Sequence, residues 1–271
     1  MSAPPDPSAA TGVERIAEAF ASARADGRRA ALMPYLMGGF PDLDTSARIG
    51  VAYAESGADL IELGVPFSDP LADGPVFHAA GTAALRGGAT LPAVLEVAAE
   101  IAAHVPVVVM CYSNPILARG LERFLDGLVA AGVSGLIVPD LPLEEASDTL
   151  AACDARGLAL VPLVAPTTPE ARLAAIGARA RGFVYAVSVT GTTGEREGID
   201  STALLARVKA HIDVPIALGF GISTPAHAAA AASAGADGVI VGTRLVRAAA
   251  DGEDMRAVVD GLASALRGPA A

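Results

Sequence analysis

The stretch Ile61 to Pro75, IELGVPFSDPLADGP, places one carboxylate inside an apolar run and two more on the loop behind it. Such spacing suits proton transfer. Asp59 to Val65 reads as a short buried strand interrupted by Glu62. Side chains alternate along a strand, so Leu60, Glu62 and Gly64 share one face while Ile61, Leu63 and Val65 share the other. A carboxylate among apolar neighbours is costly to bury unless it has a partner or a task. Pro66, Pro70 and Pro75 stiffen the following loop, which carries Asp69 and Asp73. An acid at a strand end and an acid on the next loop form a candidate general acid/base pair. A glutamate that caps loop amides would use the same residues, and both readings stand at this point.

The elements that must hold these acids follow a regular beat. Helical spacing over Gly12 to Asp26 ends at Gly27, ahead of a first strand, Ala31 to Met37. Asp44 or Thr45 is placed to cap a helix running to Ser56, and the Glu62 strand follows. Helical stretches Leu91–His104, Leu121–Ala131, Glu144–Arg156, Thr168–Ala178, Ser201–His211 and Thr224–Ala234 then alternate with apolar strands. Those strands are Pro106–Cys111, Ser134–Val138, Ala159–Val164, Gly182–Val187, Val214–Gly219 and Gly238–Val241. The tail from Thr243 to Arg267 splits at Asp251-Gly252 into a short and a longer helix. Eight apolar strands alternating with helices predict an α/β fold, a (β/α)8 TIM barrel with an extra N-terminal helix and a short extra helix after strand eight. A doubly wound open sheet competes, but no GxGxxG follows the first strand. The chain reads as a single domain, 1–271, with residues 1–11 a flexible lead-in lacking the basic start and apolar run of a targeting peptide.

In such barrels chemistry sits at the C-terminal strand ends. Those ends carry Gly38-Gly39, Glu62, Tyr112, Asp140, Ser188 to Gly194, Phe220-Gly221 and Gly242-Thr243. The last two pairs, with a short helix from Thr243, match the usual barrel phosphate site, although glycine after a strand also simply permits a tight turn. The polar loop Thr190 to Asp200, TGTTGEREGID, reads as a mobile lid or as an ordinary surface loop on the same rim. His78, His104, His211 and His227 are scattered and show no metal-ligand spacing. The only lysine, Lys209, lies in a helix leading into a strand and offers no Schiff-base amine at a strand end. Metal-dependent and covalent-amine aldol chemistry are thereby disfavoured. Proton transfer by Glu62 and Asp73 on a phosphorylated small molecule is what remains.

Composition sets the surroundings. A net charge of -11 argues against nucleic acid, whose binding relies on neutralising phosphates. No apolar run approaches the ~20 residues of a membrane span. Cys111 and Cys153 lack metal or redox spacing and fit a reducing, cytoplasmic setting.

IELGVPFSDPLADGP, followed in order by the TGTTG loop, GFGIS at Gly219 to Ser223 and VGT at Val241 to Thr243, resembles the signature of the tryptophan synthase alpha-subunit family. The likeness covers the chain beyond its first dozen residues. It implies retro-aldol cleavage of indole-3-glycerol phosphate to indole and glyceraldehyde 3-phosphate, in tryptophan biosynthesis. Glu62 is then the general acid/base, and Asp73 the group facing the indole N–H. The likeness further implies phosphate binding at Gly194, Gly221, Gly242 and Thr243, with Thr193 a lid residue that reaches Asp73. Tyr35, Met110, Tyr112, Tyr185 and Phe220 would line the indole slot; from the residues alone these aromatics read as core. Thr243 replaces the serine more often found in the family, and Tyr35 stands where phenylalanine also occurs. The family pairs with a beta subunit in an alpha2-beta2 heterotetramer. Pyridoxal phosphate is expected only in that partner, and no cofactor in this chain. Ser68 to Pro70 and a turn at Asn114-Pro115 would face the partner, which is expected to activate this chain allosterically. A stand-alone indole-releasing lyase, another phosphosugar-binding barrel and a catalytically silent barrel are the rival readings.

Overall fold

In the computed structural model, which describes residues 10–187, 201–219 and 221–268, the alternating beat closes into a parallel barrel. Its strands are β1 (Ala31–Met37), β2 (Ile61–Gly64), β3 (Val107–Met110), β4 (Gly135–Ile137), β5 (Ala159–Leu160), β6 (Leu163–Val164), β7 (Val184–Val187), β8 (Ile216–Gly219) and β9 (Gly238–Val241). They pair in the order β5-β4-β3-β2-β1-β9-β8-β7-β6, with the first strand beside the last. β5 and β6 are two halves of the fifth barrel strand. Val161 N–H still bonds Leu136 of the β4 side at 2.9 Å, whereas the Pro162 carbonyl accepts from Tyr185 of β7 at 3.0 Å. Proline has no N–H to continue the first ladder. One strand therefore closes the barrel by changing partners midway, and the eight expected barrel positions are all filled.

Alternation along the strands sorts two cores. Leu60, Val108, Ile137, Tyr185, Ala217 and Ile240 point inward and pack together. Ile61, Leu63 and Val65 point outward into the larger layer between strands and helices. Helix α1 (Gly12–Ala25), started by a capping box between Thr11 and Glu14, drives Ile16 and Phe20 into the inner cluster from the N-terminal end. Phe20 meets Phe183 with ring centroids 5.9 Å apart. That plug makes the opposite mouth the route to the barrel interior.

After β1 comes α2 (Leu43–Glu55), capped by Asp42 rather than by Asp44 or Thr45; Asp42 accepts from the Thr45 N–H at 2.8 Å. Two helices depart from the sequence reading. Between β2 and α4 (Leu91–Ala102) lies α3 (Pro75–Arg86), which begins directly after the acid loop with Pro75 in its first turn, where a missing N–H costs nothing. The supposed turn at Asn114-Pro115 is instead the first turn of α5 (Ser113–Arg119), which leads into α6 (Leu121–Ala130). The remaining helices are α7 (Ser147–Asp154), α8 (Glu170–Gly177), α9 (Thr202–Lys209), α10 (Pro225–Ser233), α11 (Thr243–Asp251) and α12 (Met255–Ala265). Gly252, with φ of 68°, takes the left-handed turn that separates α11 from α12. Among the described residues no helix is long and apolar enough to cross a membrane.

Candidate active site

β2 delivers Glu62 to the inner face, the one it shares with Leu60, and leaves it 2% exposed. Its Oε2 has no hydrogen-bond partner among the described residues. Burial, reinforced by the nearby Asp73 charge, pushes the carboxyl up to about 8. Glu62 is therefore mostly neutral at pH 7 and holds a proton it can give away.

The two acids of the following loop are treated differently. Asp69 is exposed and accepts from the neighbouring Ser68 hydroxyl at 2.5 Å. Asp73 is half-buried, and its Oδ1 accepts from the Tyr112 hydroxyl at 2.7 Å. Burial raises the Asp73 carboxyl, while the Tyr112 hydrogen bond and His78 of α3 pull it down. Asp140, another strand-end acid, bonds the Ser113 N–H and hydroxyl at 2.9 and 3.0 Å, where α5 starts. It is a structural cap.

Glu62 opens into a cavity of about 670 Å3, mouth included, whose walls also include Tyr35, Met110, Tyr185, Gly221, Gly242 and Thr243. Tyr35 lies opposite Glu62 in the β1–β2 register and stacks on Phe77 at 4.3 Å and 8°, worth roughly 1 kcal/mol beyond burial. Phe77 was not anticipated because the helix that carries it, α3, was not. Ile137, Pro139 and Leu163 complete the apolar side; only their place at strand ends could have flagged them. Tyr112 and Asp73 both stand behind the lining, which their neighbour Ala72 reaches; the Tyr112 hydroxyl bonds Asp73 and the Ala72 N–H. Thr193, Gly194, Phe220 and the Thr190–Asp200 loop lie outside the described residues.

Two glycines on the inner face make room for the tyrosines. A Cβ on Gly64 would stand 2.0 Å from the Tyr35 hydroxyl, and one on Gly219 would stand 2.4 Å from that of Tyr185. Each tyrosine reaches over the glycine two residues beyond its register partner on the next strand. Burial, with added carboxylate charge nearby, holds both phenols far above their usual range, so they remain protonated.

Across the cavity from the acids, α11 starts at Thr243 with no side chain capping its first turn. The positive end of the helix dipole favours an anion there. Gly221, at φ 77°, takes a left-handed turn at the exit of β8. Gly242 leaves space for the Phe77 ring, which a Cβ would meet at 2.6 Å. The mouth thus joins an apolar slot, Glu62 on its wall with Asp73 next to the lining residue Ala72, and an anion-friendly helix start.

Elsewhere, a cleft of about 790 Å3, open solvent at its mouth included, lies between α7 and α8 and meets the first at Pro139 and Leu163, but no carboxylate lines it. Lys209 Nζ sits 3.4 Å from Asp237 Oδ2, away from the slot. Among the described residues no cluster of three or more His, Cys, Asp or Glu is placed to hold a metal ion.

Comparison with known proteins points one way. A family model described as tryptophan synthase alpha chain matches residues 20–267. The chain is 50% identical over 236 residues to the tryptophan synthase alpha chain of Prochlorococcus marinus, spanning 86% of each. It is 45% identical over 255 residues to that of Methanosarcina mazei, spanning 93% of each. A solved structure of Mycobacterium tuberculosis tryptophan synthase superimposes with a TM-score of 0.88 at 42% identity, covering 96% of this chain and 100% of that one.

Proposed function

The chain belongs to the tryptophan synthase alpha chain family, a family of lyases in tryptophan biosynthesis, and we propose that Glu62 and Asp73 carry the retro-aldol cleavage of indole-3-glycerol phosphate. The observation that carries this reading is the raised Glu62 carboxyl, its Oε2 without a partner among the described residues, facing an apolar cavity with Asp73 nearby. An ionised acid in that place could not start the reaction.

The steps balance on these two groups. Protonated Glu62 gives its proton to indole C3, and the positive charge that develops at the ring nitrogen is stabilised by anionic Asp73 through the N–H. Glu62, now a carboxylate, takes the proton of the glycerol hydroxyl. The bond between C3 and the side chain breaks, its electron pair restoring the indole while the hydroxyl carbon becomes the aldehyde. Glu62 ends protonated, as it began. Desolvation strengthens each charge interaction in the slot.

Tyr35, Met110 and Tyr185, with Phe77, grip the indole plane. Gly221, Gly242 and Thr243 hold the phosphate against the start of α11, and Gly194 and Phe220 join these two groups. Thr193 closes onto Asp73. The chain works as one barrel domain in the cytoplasm, within an alpha2-beta2 assembly whose beta chain carries pyridoxal phosphate; no step in this chain uses that cofactor. The test is indole release from indole-3-glycerol phosphate with and without the beta chain. Indole should form in both, faster with the partner, whereas a phosphosugar isomerase would leave the substrate intact.

A further inference from the structure

Asp73, next to the lining residue Ala72, is held from behind by Tyr112. The Tyr112 hydroxyl donates to Asp73 Oδ1 at 2.7 Å and accepts from the Ala72 N–H at 3.0 Å. It thereby ties the loop after β2 to the exit of β3, while its ring packs on Phe67, with centroids 5.5 Å apart. Tyr112 is 3% exposed and Asp73 half-buried, so this contact is partly shielded from water. From these contacts we infer that Tyr112 is a positioning residue that fixes which oxygen of Asp73 faces the ligand and keeps that carboxylate ionised.

The chemistry follows from the geometry. With Oδ1 occupied by the phenol, Oδ2 is the oxygen left to meet a ring N–H. A donor at 2.7 Å also favours the anion over the acid. Burial alone would drive Asp73 toward neutrality, and a neutral Asp73 could not stabilise a positive ring nitrogen. The charged or titratable groups that act with Asp73 come from every side of the loop: Glu62 on β2, Tyr35 on β1, His78 on α3 and Tyr112 itself. Of these, Tyr112 is the one that bonds Asp73 directly.

This inference rests on Asp73 acting as the anionic partner of the ring nitrogen. The experiment compares the full-length wild-type chain with Tyr112→Phe and Asp73→Asn, following indole release from indole-3-glycerol phosphate between pH 5 and pH 9. Tyr112→Phe keeps the ring on Phe67 and removes only the hydroxyl. Its kcat should fall about tenfold with KM changed less than about threefold, and the acid limb of its kcat profile should move up by about one pH unit. The direction is fixed: without the donor, Asp73 protonates at higher pH, and activity is lost sooner on acidification. Asp73→Asn should be nearly inactive at every pH. If Asp73→Asn is inactive and Tyr112→Phe keeps the wild-type profile, the positioning role is overturned and the reading of Asp73 stands. If kcat of Tyr112→Phe falls with no movement of the acid limb, the hydroxyl merely packs, and the inference is overturned. If Asp73→Asn stays active, the reading of Asp73 itself fails.

Discussion

Asp59 and Glu62 lie three residues apart around one strand, and both are buried, yet they live at opposite ends of the barrel. At the plugged end, Asp59 accepts from Arg28 Nη1 at 2.9 Å and from the Leu32 N–H at 2.8 Å. Burial still raises it to about 6 against the pull of those partners. At the open end, Glu62 has an oxygen with no partner among the described residues, and its carboxyl rises to about 8. A buried acid that builds the fold is given its counter-charge by the fold. A buried acid that does chemistry is left short of one, so that the ligand completes it. The contrast separates structure from function better than burial does, because both groups are under 10% exposed.

Breaking the open end should show in rate. Glu62→Gln keeps the shape and removes the proton carrier, so indole release should fall by at least ~100-fold, the usual range for a general acid/base. Near-wild-type turnover in that variant would end the assignment.

Breaking the plugged end should show in stability. Arg28→Ala strands Asp59 and should lower unfolding free energy by about 3 kcal/mol in urea titrations, while kcat of the folded fraction stays close to wild type.

The ends can also be told apart by pH. For Glu62 the folded carboxyl is raised from 4.5 to about 8, so the folded state binds the proton more tightly than the unfolded chain does. The stabilisation is complete below the unfolded value and is lost as pH rises through the folded one. Glu62→Gln should therefore gain in melting temperature over wild type progressively from pH 5 to pH 8. A constant difference would mean that Glu62 is not raised.

The smallest effect belongs to the other acid of the same loop. Asp69→Asn should change indole release by the isolated chain less than about twofold, since Asp69 is exposed and serves Ser68.

Much of this was legible in the sequence, and the omissions have physical reasons. Alternation put Glu62 on one face with Leu60 and Gly64, because a strand admits only two faces, and the fold shows that this face is the inner one. The split of the tail at Gly252 was legible because a left-handed turn calls for glycine. Helix α3 was missed because Pro75 and the proline-rich loop before it look like a continuing loop, while Gly81 weakens the helical signal. Phe77 was lost with it. The break of the fifth strand at Pro162 could not be read, since an apolar run does not say which neighbour each half will bond. Tyr112 was placed in the slot by the family resemblance, whereas the residue alone reads as core, and only the fold shows its hydroxyl bonded to Asp73. The same limit applies to Gly64 and Gly219, whose bareness makes sense only once the tyrosines beside them are in place.

The claim on which the rest depends is that Glu62 stays protonated at neutral pH in the resting protein. It can be observed directly by following the glutamate carboxyl carbons by 13C NMR across pH 4 to 10, with Glu62→Gln identifying the signal. A midpoint near 8 is expected, and a midpoint between about 4 and 5, the range of an ordinary glutamate, would contradict the account.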